Sequence, residues 1–151
     1  MNSISNISHL NTEEDLNSEL FKLFRKTDLN DISRIILTGG TSPKCFYKFL
    51  SNNVVDWSKY IVTLSDERDI ETSNHLSNEG MIKSIICNNE FDNIFLSLRN
   101  PETTNILKEV TSYDLCILGM GEDGHFASIF PSMSNIKEAL NTQEPLLNID
   151  D

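Results

Sequence analysis

The sequence lacks long hydrophobic runs and is short of basic residues. No apolar stretch approaches the roughly 20 residues that a membrane-spanning helix needs, and the N-terminal residues show neither the basic nor the apolar region of a secretory signal. Lysine and arginine total 12 against 23 acidic residues, for a net charge of −11. Nucleic-acid-binding proteins usually present a basic stripe, and none is visible here. The composition therefore argues against membrane, secreted and nucleic-acid-binding proteins.

Cysteine and histidine are also scarce. The three cysteines are far apart and form no CxxC motif, which predicts free thiols and a cytoplasmic location: Cys45, Cys87 and Cys116. The three histidines show no HxH or HxxxH spacing, so we expect no metal site: His9, His75 and His125. The negative charge further means that any site for an anionic substrate must be built locally, from few basic residues.

Strand-like and helix-like segments alternate along the chain. The strand-like segments are continuous apolar runs, at residues 34–40, 60–68, 93–98 and 113–119. Continuous runs that alternate with helices favour an α/β fold, a mostly parallel sheet with helices on both faces. No linker, internal repeat or composition shift divides the 151 residues, so we expect a single domain over residues 1–151.

Two helix starts have clear signals. Thr12 precedes a segment with three acidic residues in its first turn and apolar residues at helical spacing, which predicts Thr12 as the N-cap. Ser42 and Pro43 predict a second helix, with Ser42 as its N-cap and Pro43 in its first turn. This second helix is expected to bury three apolar side chains: Phe46, Phe49 and Leu50.

The first apolar run ends in Gly39, Gly40, Thr41, Ser42 and Pro43. Two glycines let the backbone approach a ligand closely. Hydroxyl groups and free backbone N–H groups at a helix N-terminus favour binding of a phosphate, with backbone donors expected from residues 40, 41, 42 and 44. The alternative is a capped helix after a tight turn.

The second apolar run ends in Asp66, Glu67 and Arg68. Arg68 is suited to bind phosphate oxygens through its guanidinium group. Asp66 is suited to position either a polar group of the substrate or a catalytic histidine. The alternative is a strand end whose charges are simply solvated.

The fourth apolar run continues into LCILGMGEDGHFASIFP, residues 115–131. Gly119, Gly121 and Gly124 make a tight loop that presents Asp123 and His125. The glycines match GxGxxG, but no helix starts at the third glycine, so a dinucleotide fingerprint is not indicated. In open α/β sheets, a loop after a strand is where ligands bind. We therefore predict that this loop is the catalytic centre.

Together and in this order, the three segments resemble the 6-phosphogluconolactonase family. The matches are the loop at 39–43, the DER strand end at 66–68 followed by Ser77-Asn78, and the LGxGxDGHxASxFP pattern at 118–131. The resemblance implies a Rossmann-like fold and hydrolysis of 6-phosphoglucono-1,5-lactone to 6-phosphogluconate in the oxidative pentose phosphate pathway. It also implies that no metal or organic cofactor takes part.

The resemblance further assigns roles to residues. His125 is expected to take a proton from the attacking water, with Asp66 and Asp123 orienting the histidine and the water. The 6-phosphate is expected to bind to the following residues: Gly39, Gly40, Thr41, Ser42 and Arg68. An ordinary histidine pKa of about 6.5 suits a general base near neutral pH.

Family members continue beyond this length, with another arginine-containing strand and a later lysine. We therefore expect the C-terminal part of the family fold to be missing here, and the chain to self-associate or to need a complementing segment. Two alternatives stay open. An amino-sugar-phosphate deaminase/isomerase typically has an aromatic residue at the position of Arg68 and Asn-Glu-Pro after the Gly-His pair, where this chain has Ala-Ser-Ile-Phe-Pro at 127–131. An inactive, sugar-phosphate-binding remnant is the other.

Overall fold

The computed structural model describes residues 8–29, 31–53 and 55–149. Helices and strands alternate along the chain, with two short 3-10 helices at Thr27–Leu29 and Trp57–Lys59. The main elements are α1 (Glu13–Lys26), β1 (Ser33–Leu37), α2 (Lys44–Ser51), β2 (Tyr60–Leu64), α3 (Asn78–Ile86), α4 (Asn89–Ile94), α5 (Pro101–Lys108), β3 (Leu115–Cys116) and α6 (Ile136–Asn141). Within these ranges, no helix combines the length and apolar character needed to cross a membrane.

The three strands form a parallel sheet in the order β2-β1-β3. β1 pairs with β2 along its whole length, from Ser33 opposite Tyr60 to Leu37 opposite Leu64. β3 pairs with β1 over two residues. Because all three strands are parallel, their carboxyl ends lie at one edge of the sheet. The predicted α/β fold with a parallel sheet is confirmed.

The predicted strand at 93–98 is largely wrong. Residues 93 and 94 end helix α4, and only Phe95 makes a single parallel bridge, to Val62 of β2. The side chain of Asn88 accepts hydrogen bonds from the backbone N–H groups of Glu90 and Phe91, and this N-cap starts a helix that carries the apolar residues inward. Phe91 is completely buried as a result. The apolar run predicts a strand, but periodicity alone does not separate a short strand from a buried helix.

The first two helices differ in how they begin. Thr12 caps α1 as predicted, since its hydroxyl accepts from the backbone N–H of Asp15 at 3.1 Å. Ser42 does not cap α2. Pro43 is the N-cap residue without a side-chain bond, and α2 begins at Lys44. The reason is local: the N–H of Lys44 donates to the carbonyl of Thr41 at 3.2 Å, so a backbone turn does what the Ser42 hydroxyl was expected to do.

Helix α2 also buries a partly different set of side chains. Phe46 and Leu50 are buried as predicted, but Phe49 is only half-buried. Tyr47 is buried instead, because its hydroxyl donates to the carbonyl of Thr38 at 2.6 Å and accepts from the N–H of Thr38 at 3.1 Å. Burial raises the pKa of the Tyr47 phenol. This pair of bonds ties the carboxyl end of β1 to α2.

A cluster of stacked aromatic rings supports the β2 side of the sheet. The rings of Phe24 and Tyr60 are stacked with centroids 4.8 Å apart, and Trp57 meets Phe91 edge-to-face at the same distance. These four side chains are all at most 3% exposed. The other side differs, since Leu118 is 52% exposed and Met120 is 80% exposed just beyond β3. The described part of the chain therefore leaves the β3 edge of the sheet uncovered.

Candidate active site

A cavity of about 270 Å³ lies beyond the carboxyl ends of the three strands. Its walls come from the segments that follow β1, β2 and β3, together with the first residue of α3. Seven of the eight residues predicted for the site line it: Gly39, Gly40, Thr41, Ser42, Asp66, Arg68 and His125. The eighth, Asp123, does not line the cavity but is hydrogen-bonded to His125. The roles assigned to these residues stay predictions.

The loop after β1 forms one wall. Gly40 has a φ of +89°, a region that favours glycine. Gly39 lies against the side chain of Asn78, which a Cβ at position 39 would overlap. The N–H of Lys44 is bound to the carbonyl of Thr41, so the expectation that this N–H is available to a ligand is wrong. The two glycines thus bring bare backbone next to the cavity.

Asp66, at the end of β2, is bound on both carboxylate oxygens. Oδ1 accepts from the hydroxyl of Ser65 at 2.7 Å, and Oδ2 accepts from the hydroxyl of Ser128 at 2.7 Å. Asn78 donates to the same Oδ2 at 3.3 Å and to the Asp66 carbonyl at 2.9 Å. Within the described residues Asp66 is not hydrogen-bonded to His125. The hydrogen-bonded connection from Asp66 to the histidine loop runs through Ser128.

Arg68 is exposed and lies on the same side of the cavity. Its Nη1 donates to the carbonyl of Leu76 and to Oδ1 of Asn78, both at 2.7 Å. No ion pair to its guanidinium occurs among residues 8–29, 31–53 and 55–149, so its positive charge is not neutralised by a neighbouring carboxylate there. Because a guanidinium has five N–H donors, Nη2 and Nε remain for an anionic ligand.

Asn78 is a site residue that the sequence reasoning did not assign. It is 3% exposed, and its amide joins Arg68, through Oδ1, to Asp66, through Nδ2. The only signal was the Ser-Asn pair that formed part of the family resemblance, to which no role was attached. A buried asparagine at the first position of a helix is held there by specific partners, and these partners appear only once the chain is folded.

Glu67, which lies between Asp66 and Arg68 in the sequence, binds the N-terminus of α3. Its carboxylate accepts from the backbone N–H of Asn78 at 2.9 Å and of Glu79 at 2.7 Å, and from the hydroxyl of Ser77 at 2.9 Å. These donors are the free N–H groups at the start of α3, where a negative charge is favourable. Glu67 thereby fixes Asn78, which in turn contacts Arg68.

The glycine-rich loop after β3 is closed on itself. The N–H of Gly121 donates to the carbonyl of His125 at 2.8 Å, and the N–H of Gly124 donates to the carbonyl of Gly121 at 3.0 Å. Gly124 has a φ of +86°. A Cβ at position 121 would overlap both the His125 ring and the Asp123 carboxylate. Glycine at 121 is therefore required for the histidine to lie where it does.

Asp123 holds the imidazole of His125. Oδ1 of Asp123 lies 2.5 Å from Nδ1 of His125 and also accepts from the His125 backbone N–H at 3.2 Å. The hydrogen bond from the imidazole lowers the pKa of Asp123 below its ordinary value, so the carboxylate is ionised at neutral pH. An ionised acceptor at Nδ1 places the imidazole proton there and leaves a lone pair on Nε2. This arrangement is suited to a general base.

The His125 ring is also stacked on Phe130. Their centroids are 4.5 Å apart and their planes are inclined by 28°. The two residues flank a tight turn, in which Phe126 and Ile129 exchange backbone hydrogen bonds of 3.3 and 2.8 Å. Stacking on one face and the Asp123 bond at Nδ1 together restrict the orientation of the imidazole.

The fold and the position of the cavity define an α/β protein with a cavity at the carboxyl edge of a parallel sheet. A sequence profile described as glucosamine-6-phosphate isomerases/6-phosphogluconolactonase matches residues 12–150. The chain belongs to this family, which confirms the family resemblance. The 6-phosphogluconolactonase of Rhizobium meliloti is 34% identical over 122 residues, 74% of this chain and 53% of that protein. The one from Xylella fastidiosa strain Temecula1 is 34% identical over 125 residues, 77% of this chain and 52% of that protein.

Solved structures agree with this assignment. The crystal structure of a 6-phosphogluconolactonase from Shewanella baltica superposes with a TM-score of 0.75 at 29% identity, covering 87% of this chain and 62% of that one. The chain spans about half the length of the curated relatives it matches. The similarity therefore concerns the part of the family fold that carries the three strand-end segments.

Proposed function

We propose that the chain takes part in the hydrolysis of 6-phosphoglucono-1,5-lactone to 6-phosphogluconate, in the oxidative pentose phosphate pathway. The observation that carries this proposal is the cavity that is lined by both His125, oriented by Asp123, and Arg68, whose guanidinium forms no ion pair with the described residues. A base and an anion-binding group in one cavity suit a phosphorylated substrate that is attacked by water. The names of the relatives support the same reaction.

The reaction begins at Nε2 of His125. This nitrogen takes a proton from water as the water oxygen forms a bond to the lactone carbonyl carbon, C1. The tetrahedral intermediate then collapses, the bond from C1 to the ring oxygen breaks, and the ring oxygen takes the proton held on Nε2 of His125 to become a hydroxyl. The products are the acid and a free base at His125. Asp123 stabilises the protonated imidazole while the intermediate exists.

The phosphate is proposed to bind between Arg68 and the 39–42 loop. Arg68 supplies charged donors through Nη2 and Nε, and the loop supplies backbone N–H groups and the hydroxyls of Thr41 and Ser42. A charged hydrogen bond contributes roughly 1.5–3 kcal/mol. With a net charge of −11 opposing an anionic substrate, these local contacts are decisive for binding.

The uncovered β3 edge is proposed to be a contact surface. Cys116 and Leu118 are exposed there, and unpaired strand edges favour association with further polypeptide. We infer that a second copy of the chain or a complementing segment covers this edge. The chain spans about half the length of the curated relatives it matches, so those relatives have further residues that are available to cover such an edge.

The function is tested by following lactone decay in the presence of the purified chain, corrected for spontaneous hydrolysis. The same assay is run with His125→Gln and with the chain extended by the C-terminal portion of the Rhizobium relative. We expect the histidine variant to lose at least about 10²-fold in kcat, the scale of general-base catalysis. The matched control is His75→Gln, which replaces an exposed histidine outside the cavity.

Two outcomes contradict the proposal. One is a His125→Gln variant that is as active as the wild type. The other is lactone decay at the spontaneous rate with both the chain and its extended version. Ammonia release from glucosamine 6-phosphate, measured in parallel, would indicate the deaminase alternative. Binding of 6-phosphogluconate without any turnover would indicate the remnant alternative.

A further inference from the structure

The turn that follows His125 has an unusual backbone. Ala127 and Ser128 are its two central residues, with φ angles of 48° and 59°. L-residues other than glycine rarely adopt this left-handed backbone conformation, and two neighbouring residues that both adopt it are rarer still. Such conformations persist where the surrounding structure imposes them, and they cluster at functional sites.

One hydrogen bond connects this turn to the rest of the cavity. The hydroxyl of Ser128 donates to Oδ2 of Asp66 at 2.7 Å, across 62 positions of the sequence. The bonds that hold His125 itself all lie within its own loop, to Asp123 and Gly121. Among the described residues, Ser128 is therefore the residue through which a hydrogen bond ties the histidine loop to the end of β2.

Asp66 is a rigid partner for this bond. Ser65 donates to its other carboxylate oxygen, and Asn78, which is itself buried, donates to its backbone carbonyl. Asn78 also binds Nη1 of Arg68. A continuous series of hydrogen bonds thus runs from Ser128 through Asp66 and Asn78 to Arg68. This series connects the loop of the proposed base, His125, to the proposed phosphate-binding residue, Arg68.

We propose that Ser128 is a positioning residue, whose bond to Asp66 fixes the His125 loop relative to Arg68. This inference rests on the function proposed above. A substrate bound by its phosphate at Arg68 places its carbonyl carbon at one position in the cavity. His125 must then lie within hydrogen-bond distance of the water that attacks this carbon. Without the Ser128 hydroxyl the turn is free to relax, and the imidazole moves from that position.

Four variants separate the hydroxyl from the backbone strain. Ser128→Ala removes the hydroxyl and keeps the strain, and Ser128→Gly removes both. Ala127→Gly removes strain at the neighbouring position and keeps the hydroxyl, and Ser132→Ala removes an exposed hydroxyl outside the turn. We expect both Ser128 variants to lose about tenfold or more in kcat, equivalent to about 1.4 kcal/mol, with KM changed less than about twofold. Ala127→Gly and Ser132→Ala should keep the wild-type kcat.

A wild-type kcat for Ser128→Ala overturns the proposal. So does a Ser128→Gly variant that is active while Ser128→Ala is not, because strain rather than the hydroxyl would then be responsible. A rise in KM equal to the fall in kcat/KM, with kcat unchanged, also overturns it, since the defect would lie in substrate binding.

A second measurement needs no turnover and separates this proposal from the proposed function. The ring ¹⁵N resonances of His125, assigned with His125→Gln, are recorded with the amide exchange rate of Ile129. Ser128→Ala should shift the His125 resonances and speed Ile129 exchange by about tenfold, while leaving the His75 resonances unchanged. If neither the chain nor its extended version has lactonase activity, the proposed function fails and this experiment still decides. Unchanged His125 resonances and Ile129 exchange overturn the positioning role.

Discussion

The imidazole of His125 and the carboxylate of Asp123 are joined through Nδ1 and Oδ1 at 2.5 Å, within a loop that closes on itself. Both groups are solvent-accessible, with 37% of the histidine side chain and 57% of the aspartate side chain exposed. The interaction is therefore not strengthened by exclusion of solvent, and it depends on the short distance between the two groups and on the geometry of the loop. An exposed pair of this kind orients the ring more than it changes the stability of the fold.

Replacing Asp123 should test this orientation. We expect Asp123→Asn to lower kcat by about tenfold, toward the low end of what a charged hydrogen bond supplies, because solvent screens the pair. The KM should stay within about twofold, since Asp123 does not line the cavity. The matched control is Glu122→Gln, which removes one negative charge from the neighbouring exposed position. Equal effects of the two variants would show that only loop charge matters.

Asp123 should contribute only slightly to stability, and only above a defined pH. Its pKa is lowered in the folded chain, first by the hydrogen bond from the His125 side chain. A lowered carboxylate pKa stabilises the fold above the unfolded value of about 3.9, and this contribution is lost as the pH falls through the lower folded value. Because the group is exposed, chemical unfolding of wild type and Asp123→Asn should differ little at pH 7. A large difference at pH 7 would contradict the exposed geometry.

Arg68 should contribute to binding more than to turnover. We expect Arg68→Ala to raise KM, and the Kd of the product 6-phosphogluconate, by about 10–100-fold with a small change in kcat. The physical reason is that the phosphate does not change during the reaction, so its binding stabilises ground state and transition state alike. Arg99→Ala is the matched control, because Arg99 is already paired with Glu71 outside the cavity. A kcat defect at constant KM would argue against a phosphate role.

The sequence predicted those features that depend on neighbouring residues. Thr12 caps α1 because its hydroxyl needs only a backbone N–H of the first helical turn as a partner, and that partner is three residues away in the sequence. The loops after β1 and β3 are predicted because glycines interrupt the apolar runs there, and the end of β2 is predicted because charged residues follow its apolar run. The prediction of Ser42 as a cap is wrong because the backbone turn between Thr41 and Lys44, which takes its place, cannot be predicted from the residue types. The prediction of a strand at 93–98 is largely wrong because Asn88, the N-cap that starts helix α4, lies outside the apolar run.

The hydrogen bonds between the segments of the site could not be predicted from neighbouring residues in the sequence. Asp66 is predicted to help orient His125 and the water, and its hydrogen-bond partners in the structure include Ser128 and Asn78, which the sequence did not indicate. These partners are 62 and 12 positions away, and no alternation or spacing relates them. Such pairings depend on how the three strand ends are placed together, which the parallel sheet determines only after folding. The lining residues were predictable, and the bonds among them were not.

Gly121 should tolerate no side chain. A Cβ at this position would overlap the His125 ring and the Asp123 carboxylate, so Gly121→Ala must displace the histidine. We expect kcat to fall by at least about tenfold, with little change in the Kd of 6-phosphogluconate. Gly119→Ala is the matched control in the same loop, because a Cβ there would make ordinary contacts of 3.9 Å with Thr38. Similar losses in both variants would mean that loop flexibility, and not the overlap, is responsible.

The β3 edge leads to the last prediction, which concerns association. Beyond β3, Leu118 is 52% exposed, and in the described sheet β3 has a neighbour on one side alone. We expect the purified 151-residue chain to self-associate, as measured by sedimentation. Leu118→Lys should weaken this association, because a lysine on a strand edge disfavours pairing. The control is Leu16→Lys, which places the same charge at an exposed leucine of α1.

The same edge bears on activity. The resemblance to longer family members implies a later arginine and a later lysine that bind phosphate. Two such charged contacts, at roughly 1.5–3 kcal/mol each, correspond to about 10²–10⁴-fold in substrate binding. We therefore expect the chain alone to be a weak lactonase. Extension with the C-terminal portion of the Rhizobium relative should lower KM by that factor and, on the proposal that the added residues cover β3, give a monomer. A monomeric 151-residue chain with the KM of its extended version would contradict both the association and the missing contacts.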